Sequence, residues 1–347
     1  MSSHELAAVI EETAREVGYS GVVSARVGSD EPIVCAFGHE DRARGIPITA
    51  ESRFAIASGA KTFTAVAVCQ LVERGALTLD TRLRDCLDVD FPKASTDVTV
   101  RQLLQHTSGM PDYFDEEVMS DYEELWRDRP MYSIKRLHDF LPLFREAPMK
   151  DAPGDQFSYN NAGYIVLGLI VEQASGMRFD EYVVQNVFAP VGMKASGYFE
   201  TDRLPDKVAL GYIEDPDESA RGWRTNFFAV PIVGGSDGGV FVSAGDLDLF
   251  WVALSAGRLV SDAMQREMQQ PLTATGETDH GTHYGRGFWL TLQGEETVAV
   301  FMIGGDPGVE FYSALFPRTG ARLTLLANSE RGAVALRRKL RSLLCGE

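Results

Sequence analysis

The chain of 347 residues predicts an α+β protein, with an antiparallel sheet flanked by the two terminal helices in one α/β lobe and an all-helical second lobe. Three observations carry this expectation. Apolar, β-rich runs occur near both ends of the chain, helical spacing marks both termini, and the middle is mostly helical with long connections. The sheet lobe is therefore expected to be discontinuous, from residues 1–57 and 230–347, with 58–229 forming the helical lobe. A pocket at the boundary is the expected place for chemistry.

Taken in order, Leu6, Val9, Ile10 and Val17 recur at helical spacing among acids, with Ser2…Glu5 as a capping box. Gly21–Val27 and Pro32–Phe37 flank Gly28-Ser-Asp-Glu and read as a hairpin. Ser58 to Arg74 reads as a helix with Ala60, Phe63, Ala67, Val68 and Leu71 on one face and Gly75 as its stop. Short helices are expected at Thr99–His106, Tyr164–Ala174 and Asp180–Val187, the last closed by Ala189-Pro190. Strands return after Val240, at Phe288–Leu292, Val298–Ile303, Phe311–Phe316 and Leu323–Ala327, close enough in sequence to form an antiparallel meander. A basic helix, Gly332–Leu344, ends the chain.

Composition bounds the function classes. Hydrophobic residues make 44% and charged residues 24%, which is ordinary for a globular enzyme and excludes disorder. Lys and Arg number 33 against 50 Asp and Glu, a net charge of −17, and such a field repels phosphate backbones and anionic lipid heads. Neither nucleic acid nor a membrane is an expected partner. Cys35, Cys69, Cys86 and Cys345 form no Cys-x-x-Cys pair and read as reduced thiols. The first residues carry no basic n-region and no apolar h-region, so a cytoplasmic location is expected. Asp112–Asp128 packs eight acids around Tyr113, Phe114, Tyr122 and Trp126. It reads as a solvated loop and helix face, with a lid over the pocket as the alternative.

Two short motifs hold candidate chemistry. Ser58-Gly-Ala-Lys61 is a Ser-x-x-Lys tetrad whose side chains share a helix face, with Ser58 in the first turn where free N–H groups favour negative charge. Lys61 lies among Ala57, Ala60 and Phe63, where burial disfavours the ammonium and suits a base. The bland alternative is an N-cap serine followed by an ordinary lysine. Tyr159-Asn160-Asn161 lies in a turn-rich run after Pro153-Gly154, so both Tyr159 and Asn161 are expected to point into a cleft. A phenol beside an ammonium is pushed towards phenolate and would accept a proton next to Ser58. Its bland alternative is a turn in which Asn161 caps the next helix.

Three further blocks accompany these motifs in order: Leu71-Val-Glu-Arg-Gly-Ala-Leu-Thr-Leu-Asp, Leu103-Leu-Gln-His-Thr-Ser-Gly-Met-Pro and Gly238-Gly-Val-Phe-Val-Ser-Ala-Gly-Asp-Leu. With Phe54-Ala-Ile-Ala-Ser-Gly-Ala-Lys and Pro153-Gly…Tyr-Asn-Asn-Ala-Gly-Tyr, the chain resembles the serine β-lactamase and penicillin-binding-protein superfamily. The resemblance is to the branch of class C β-lactamases, D,D-carboxypeptidases and family VIII esterases, and it covers nearly the whole chain. It implies a β-lactamase/transpeptidase-like fold and a serine acyl transferase mechanism. The family's third element, Lys-Thr-Gly or His-x-Gly on a sheet-edge strand, is represented by Ile303-Gly304-Gly305 followed by Asp306. The glycines are retained and permit close approach to an acyl group, with the Asp306 N–H opposite the Ser58 N–H as an oxyanion hole. The Lys or His side chain that helps relatives bind a carboxylate is missing. Arg286 and Arg322 are candidates to compensate for it.

The sequence thus predicts a serine hydrolase working through an acyl-enzyme. Ser58 is the nucleophile, Lys61 and Tyr159 take its proton, Asn161 orients Lys61 and substrate, and Asp306, Gly305 and Gly304 bind the oxyanion and substrate. A carboxylesterase on short-chain esters is expected, with Tyr113, Trp126, Tyr212 and Trp223 lining an acyl site. A β-lactamase or D-amino-acid peptidase or amidase is the alternative, and a non-catalytic binding protein of the same fold the competing class. The partner is a small ester or amide, no cofactor is needed, and nothing in the sequence sets the oligomeric state. Two decoys are set aside. Gly234-Gly-Ser236-Asp-Gly238 fits the nucleophile elbow but is followed by a strand-like run, not a helix. His280-Gly-Thr-His283 beside Asp279 fits no common zinc spacing, so no metal is expected; His106 reads as structural.

Overall fold

The structure, a computed structural model, describes residues 3–28, 30–215, 221–276 and 281–345. Its centre is an eight-stranded antiparallel sheet. The strand order is Ile33–Phe37, Gly21–Arg26, Ala321–Ala327, Val309–Phe316, Glu296–Asp306, Trp289–Gln293, Thr282–Tyr284 and Thr273–Ala274. The four strands from Trp289 to Ala327 form the expected meander, and the first hairpin closes on its last strand, with Val22 opposite Leu326. Sequence-remote strands are thus joined by an antiparallel pairing that needs no crossover helix.

The central strands are buried on both faces, which is why they are nearly continuous apolar runs, whereas the edge strand Ile33–Phe37 alternates with solvent. On one face Val23, Leu325 and Tyr312 meet Leu6 and Ile10 of the Ser3–Val17 helix and Leu336 and Leu340 of the Ala333–Leu344 helix. On the other, Val22, Leu326 and Phe311 join a larger cluster with Phe63, Phe250 and Trp251. Each fully buried Leu or Phe contributes about 1.5–3 kcal/mol relative to exposure. Ser2 of the expected capping box lies outside the described residues.

Several elements differ from expectation. The Ser58–Arg74 helix is split into a 3-10 turn, Ala57–Ala60, and an α-helix, Lys61–Glu73. Its C-terminus closes as expected: Gly75 takes φ +73°, and Ala76 N donates to Leu71 O at 3.0 Å. A helix at Ala244–Ser255, capped by Ser243, has no counterpart in the sequence reading; apolar residues all round hide its helical period. Trp251 secures it to the sheet through an Nε1 bond of 2.8 Å to Ser313 Oγ. The strand expected at Val298–Ile303 extends to Asp306, and that extension reaches the candidate site. A short hairpin, Tyr212–Glu214 with Trp223–Thr225, lies within the mostly helical middle of the chain. No helix among the described residues is long and apolar enough to cross a membrane.

Candidate active site

The turn that carries Ser58 is built by two remote segments. Strand Arg53–Ala55 pairs with Phe241–Ser243, Ile56 N donates to Val240 O at 3.0 Å, and Gly239 N donates to Ala57 O. This places the Gly234–Gly239 turn directly behind Ser58. Ala57 is held at φ +46°, a conformation that non-glycine residues adopt only when their surroundings impose it. Ser58 follows as a half-buried residue facing a cavity of about 390 Å³. It is not an N-cap, so the bland reading of the tetrad fails.

Lys61, only 2% exposed, is the hub of the site. Its Nζ donates to Ser58 Oγ at 3.0 Å, to Asn161 Oδ1 at 2.8 Å and to the Asp237 carbonyl at 2.8 Å. These partners come from three separate elements. With two N–H bonds held by Asn161 and Asp237, a neutral amine would direct its lone pair at the Ser58 hydroxyl.

Asn161 opens the Asn161–Ser175 helix, but Asn160 is the cap, accepting from Gly163 N at 2.6 Å. The Asn161 amide is therefore free to turn towards Lys61. Its orientation is fixed by Phe114 O and by Asp112, which also accepts from the backbone N–H groups of Asn161 and Ala162 at 2.8 and 2.9 Å. Burial raises the Asp112 carboxyl to about 7 despite these bonds. Behind the turn, buried His106 accepts from Asn160 N at 3.0 Å through Nδ1, the structural role expected of it.

Tyr159 also neighbours Ser58, whose hydroxyl acts to lower its phenol. The expected drift towards phenolate does not occur. Burial, together with the field of Glu116, pushes the phenol well above its ordinary value. Burial of the phenol is the dominant cause, although Lys61 Nζ lies only 4.9 Å from the centroid of the Tyr159 ring. The ring is stacked against His106 and Trp289.

The third element meets the Ser58 turn edge-on. A Cβ at Gly304 would lie 2.4 Å from Ile56 O and 2.8 Å from Ser58 N, so only glycine permits this approach. Gly305 has no such restriction, its nearest neighbour being Glu310 Oε1 at 3.7 Å. Asp306 lines the cavity, and its carboxyl is raised to about 7 by burial, then by the charge of Asp237. Ile303 packs instead with the cluster beneath the terminal helices. Neither proposed substitute supplies a cation: Arg286 is buried against Glu267, and Arg322 pairs with Asp248 at 2.8 Å.

Two residues of the site, Asp112 and Asp237, carry no motif that marks them in the sequence. Asp112 was read with a solvated acidic run, yet residues 112–122 form a wall of the cavity through Tyr113, Phe114, Glu116 and Tyr122. Asp237 lies in the glycine-rich decoy; its carbonyl holds Lys61 and its carboxylate accepts from the Tyr113 hydroxyl. Tyr113 was counted only as a cavity aromatic. Of the other aromatics expected there, Trp126 is buried with Nε1 bonded to Ala229 O, and Tyr212 meets Trp223 edge to face; besides Tyr113 and Tyr122 the aromatic lining is phenylalanine, including Phe199 and Phe241. The decoy serine, Ser236, is fully buried against Gly168, and a strand follows its turn. Asp279 and His280 lie outside the described residues.

Comparison with known proteins agrees with this geometry. The Beta-lactamase family model matches residues 6–345. The chain is 28% identical over 326 residues to penicillin-binding protein 4* of Bacillus subtilis, covering 90% of this chain and 68% of that protein. It is 44% identical to a penicillin binding protein of Bacillus halodurans of solved structure, with a TM-score of 0.90 over 96% of this chain and 99% of that one. The D-amino acid amidase of Ochrobactrum anthropi SV3, 24% identical with a TM-score of 0.78 over 93% and 90% of the two chains, shares the fold. The chain belongs to the beta-lactamase family of serine hydrolases, with penicillin-binding proteins among its relatives.

Proposed function

We propose that the protein is an acyl hydrolase in which Ser58 forms an acyl-enzyme, acting as a carboxylesterase on short-chain esters. The observation that carries the chemistry is the 3.0 Å contact between Ser58 Oγ and a buried Lys61 Nζ that is oriented by Asn161 and Asp237. Ser58 Oγ attacks the carbonyl carbon and its proton passes to Lys61 Nζ. Tyr159, protonated and beside Ser58, gives its proton to the leaving oxygen or nitrogen and is reprotonated by Lys61. The N–H groups of Ser58 and Asp306 receive the oxyanion, a role supported by the approach of the Gly304 strand to Ser58 N. Water then attacks the acyl-enzyme with Lys61 as base, and Ser58 recovers its proton.

The ester preference rests on the cavity wall. Among the described residues no Lys, Arg or His lines the cavity, so a carboxylate-bearing β-lactam or peptide lacks a counter-ion there. Initial rates on a short-chain aryl ester test both parts. Ser58→Ala is expected to lower kcat/KM by at least about 10³-fold without unfolding the chain. Equal turnover by the variant would remove Ser58 as nucleophile. Turnover of penicillin or a D-amino acid amide at a rate matching the ester would move the substrate class to lactams or amides.

A further inference from the structure

Asp237 carries a buried carboxylate that the acyl-transfer scheme leaves unused. The residue sits in the run Gly234-Gly-Ser-Asp-Gly-Gly239, where four glycines in six positions give the backbone wide conformational freedom. Its carbonyl nevertheless has to meet Lys61 Nζ, 2.8 Å away, if the amine is to face Ser58. A misdirected carbonyl would free one N–H of the amine to turn, and its lone pair would leave the Ser58 hydroxyl. The turn is tied on either side of Asp237, where Thr64 Oγ1 donates to Ser236 O and Gly239 N donates to Ala57 O. Asp237 itself is anchored by its side chain, which accepts from the Tyr113 hydroxyl.

Tyr113 is placed to give that anchor a fixed bearing. Its buried ring packs against Phe140, with centroids 5.6 Å apart. Burial, then the charge of Asp237, holds the phenol well above its ordinary value and keeps it a donor. Its two chain neighbours serve the other group that holds Lys61. The Asn161 amide donates to Asp112 Oδ2 at 3.3 Å and to Phe114 O at 3.1 Å, and Asn161 Oδ1 accepts from Lys61 at 2.8 Å. Three consecutive residues thus grip both holders of the lysine, Asn161 from the flanks and Asp237 from the middle.

We propose that Tyr113 is a positioning residue for Lys61: by holding the Asp237 carboxylate it aims the Asp237 carbonyl, and through it the amine, at Ser58. The hydroxyl acts through Asp237 rather than on Ser58 itself. This inference rests on the acyl-hydrolase reading above and adds a residue to its machinery.

Tyr113→Phe removes the hydroxyl and keeps the ring, while Asp237→Ala cuts the same link from its other end and keeps the carbonyl. On a short-chain aryl ester each is expected to lower kcat about ten-fold with KM held within about two-fold, because only the alignment of the base is lost. The double variant should lose no more than the worse single one, since both cut one link. Asp237→Asn keeps an acceptor for Tyr113 and is expected to lose less than Asp237→Ala. A change in KM alone, or losses that add, overturns the proposal and gives Tyr113 a role in substrate binding or packing. A second readout needs no substrate: the NMR resonance of Lys61 Nζ in protein isotope-labelled at its seven lysines, assigned by its loss in Lys61→Arg. A shift of that resonance in Tyr113→Phe, with the other lysines unmoved, supports the proposal even where no ester is turned over. An unmoved Lys61 resonance overturns it. Asp237→Ala serves in the same measurement if melting curves show Tyr113→Phe to be unfolded. Failure of the acyl-hydrolase reading shows separately, as absence of turnover by the unaltered chain.

Discussion

The two walls that meet at Ser58 are organised in opposite ways. On the lysine side polar atoms are paired: Lys61 with three acceptors, Asn161 with Asp112 and Phe114, Asp237 with Tyr113. On the Asp306 side, a glycine strand brings backbone against the nucleophile and leaves carboxyls without partners. The lysine wall is preorganised, so little rearrangement is needed when Ser58 loses its proton. The Asp306 wall holds its polar groups unsatisfied, at a cost in stability that a ligand can offset.

Changes on the two walls should therefore fail differently. The largest effect is expected from crowding the contact between them. Gly304→Ala would drive a methyl into Ile56 O and Ser58 N and is expected to lower kcat/KM about 10²-fold. Gly305→Ala, whose methyl meets only ordinary contacts, should lose far less. Steady-state kinetics on the pair, with melting curves to exclude unfolding, checks this; equal losses would break the distinction between the two glycines.

At the Asn161 end of the lysine wall the expected loss is mainly one of stability. Asp112→Ala removes the acceptor shared by the Asn161 and Ala162 N–H groups and is expected to destabilise by about 1–3 kcal/mol, measured by denaturant unfolding. An unchanged midpoint would show that this helix start does not depend on Asp112.

The smallest effect has the opposite sign. The Asp306 carboxyl is raised from 3.8 to about 7, so the folded state binds a proton that the unfolded state has released across this window. Stability therefore falls as pH rises from about 4 to about 7, and the full cost persists above that. Asp306→Asn is expected to raise Tm by about 2–4 °C near about pH 8 and to give no gain near about pH 4. A gain that is the same at both values would exclude the carboxylate as its source.

Local pattern made much of the molecule legible. The terminal helices announce themselves because one face is buried and the other solvated, and the meander because its strands lie close in sequence. Ser58 and Lys61 share a helical spacing, so their contact follows from one local element. The Ala244–Ser255 helix was hidden for the opposite reason: Leu249 and Val252 put apolar residues on its exposed face too, so it carries no period to read.

What the sequence determined by itself was the order of elements, the family resemblance and the Ser-x-x-Lys pair. Only the tertiary structure decided that Asp112 orients Asn161, that Asp237 lends its carbonyl to Lys61, and that no basic residue among those described lines the cavity. It also reversed the expectation for Tyr159, whose burial holds the phenol well above its ordinary value. These contacts join residues about fifty to almost two hundred positions apart, and they act through burial and direction. Neither quantity is carried by local spacing, because a side chain's surroundings exist only once distant segments have packed.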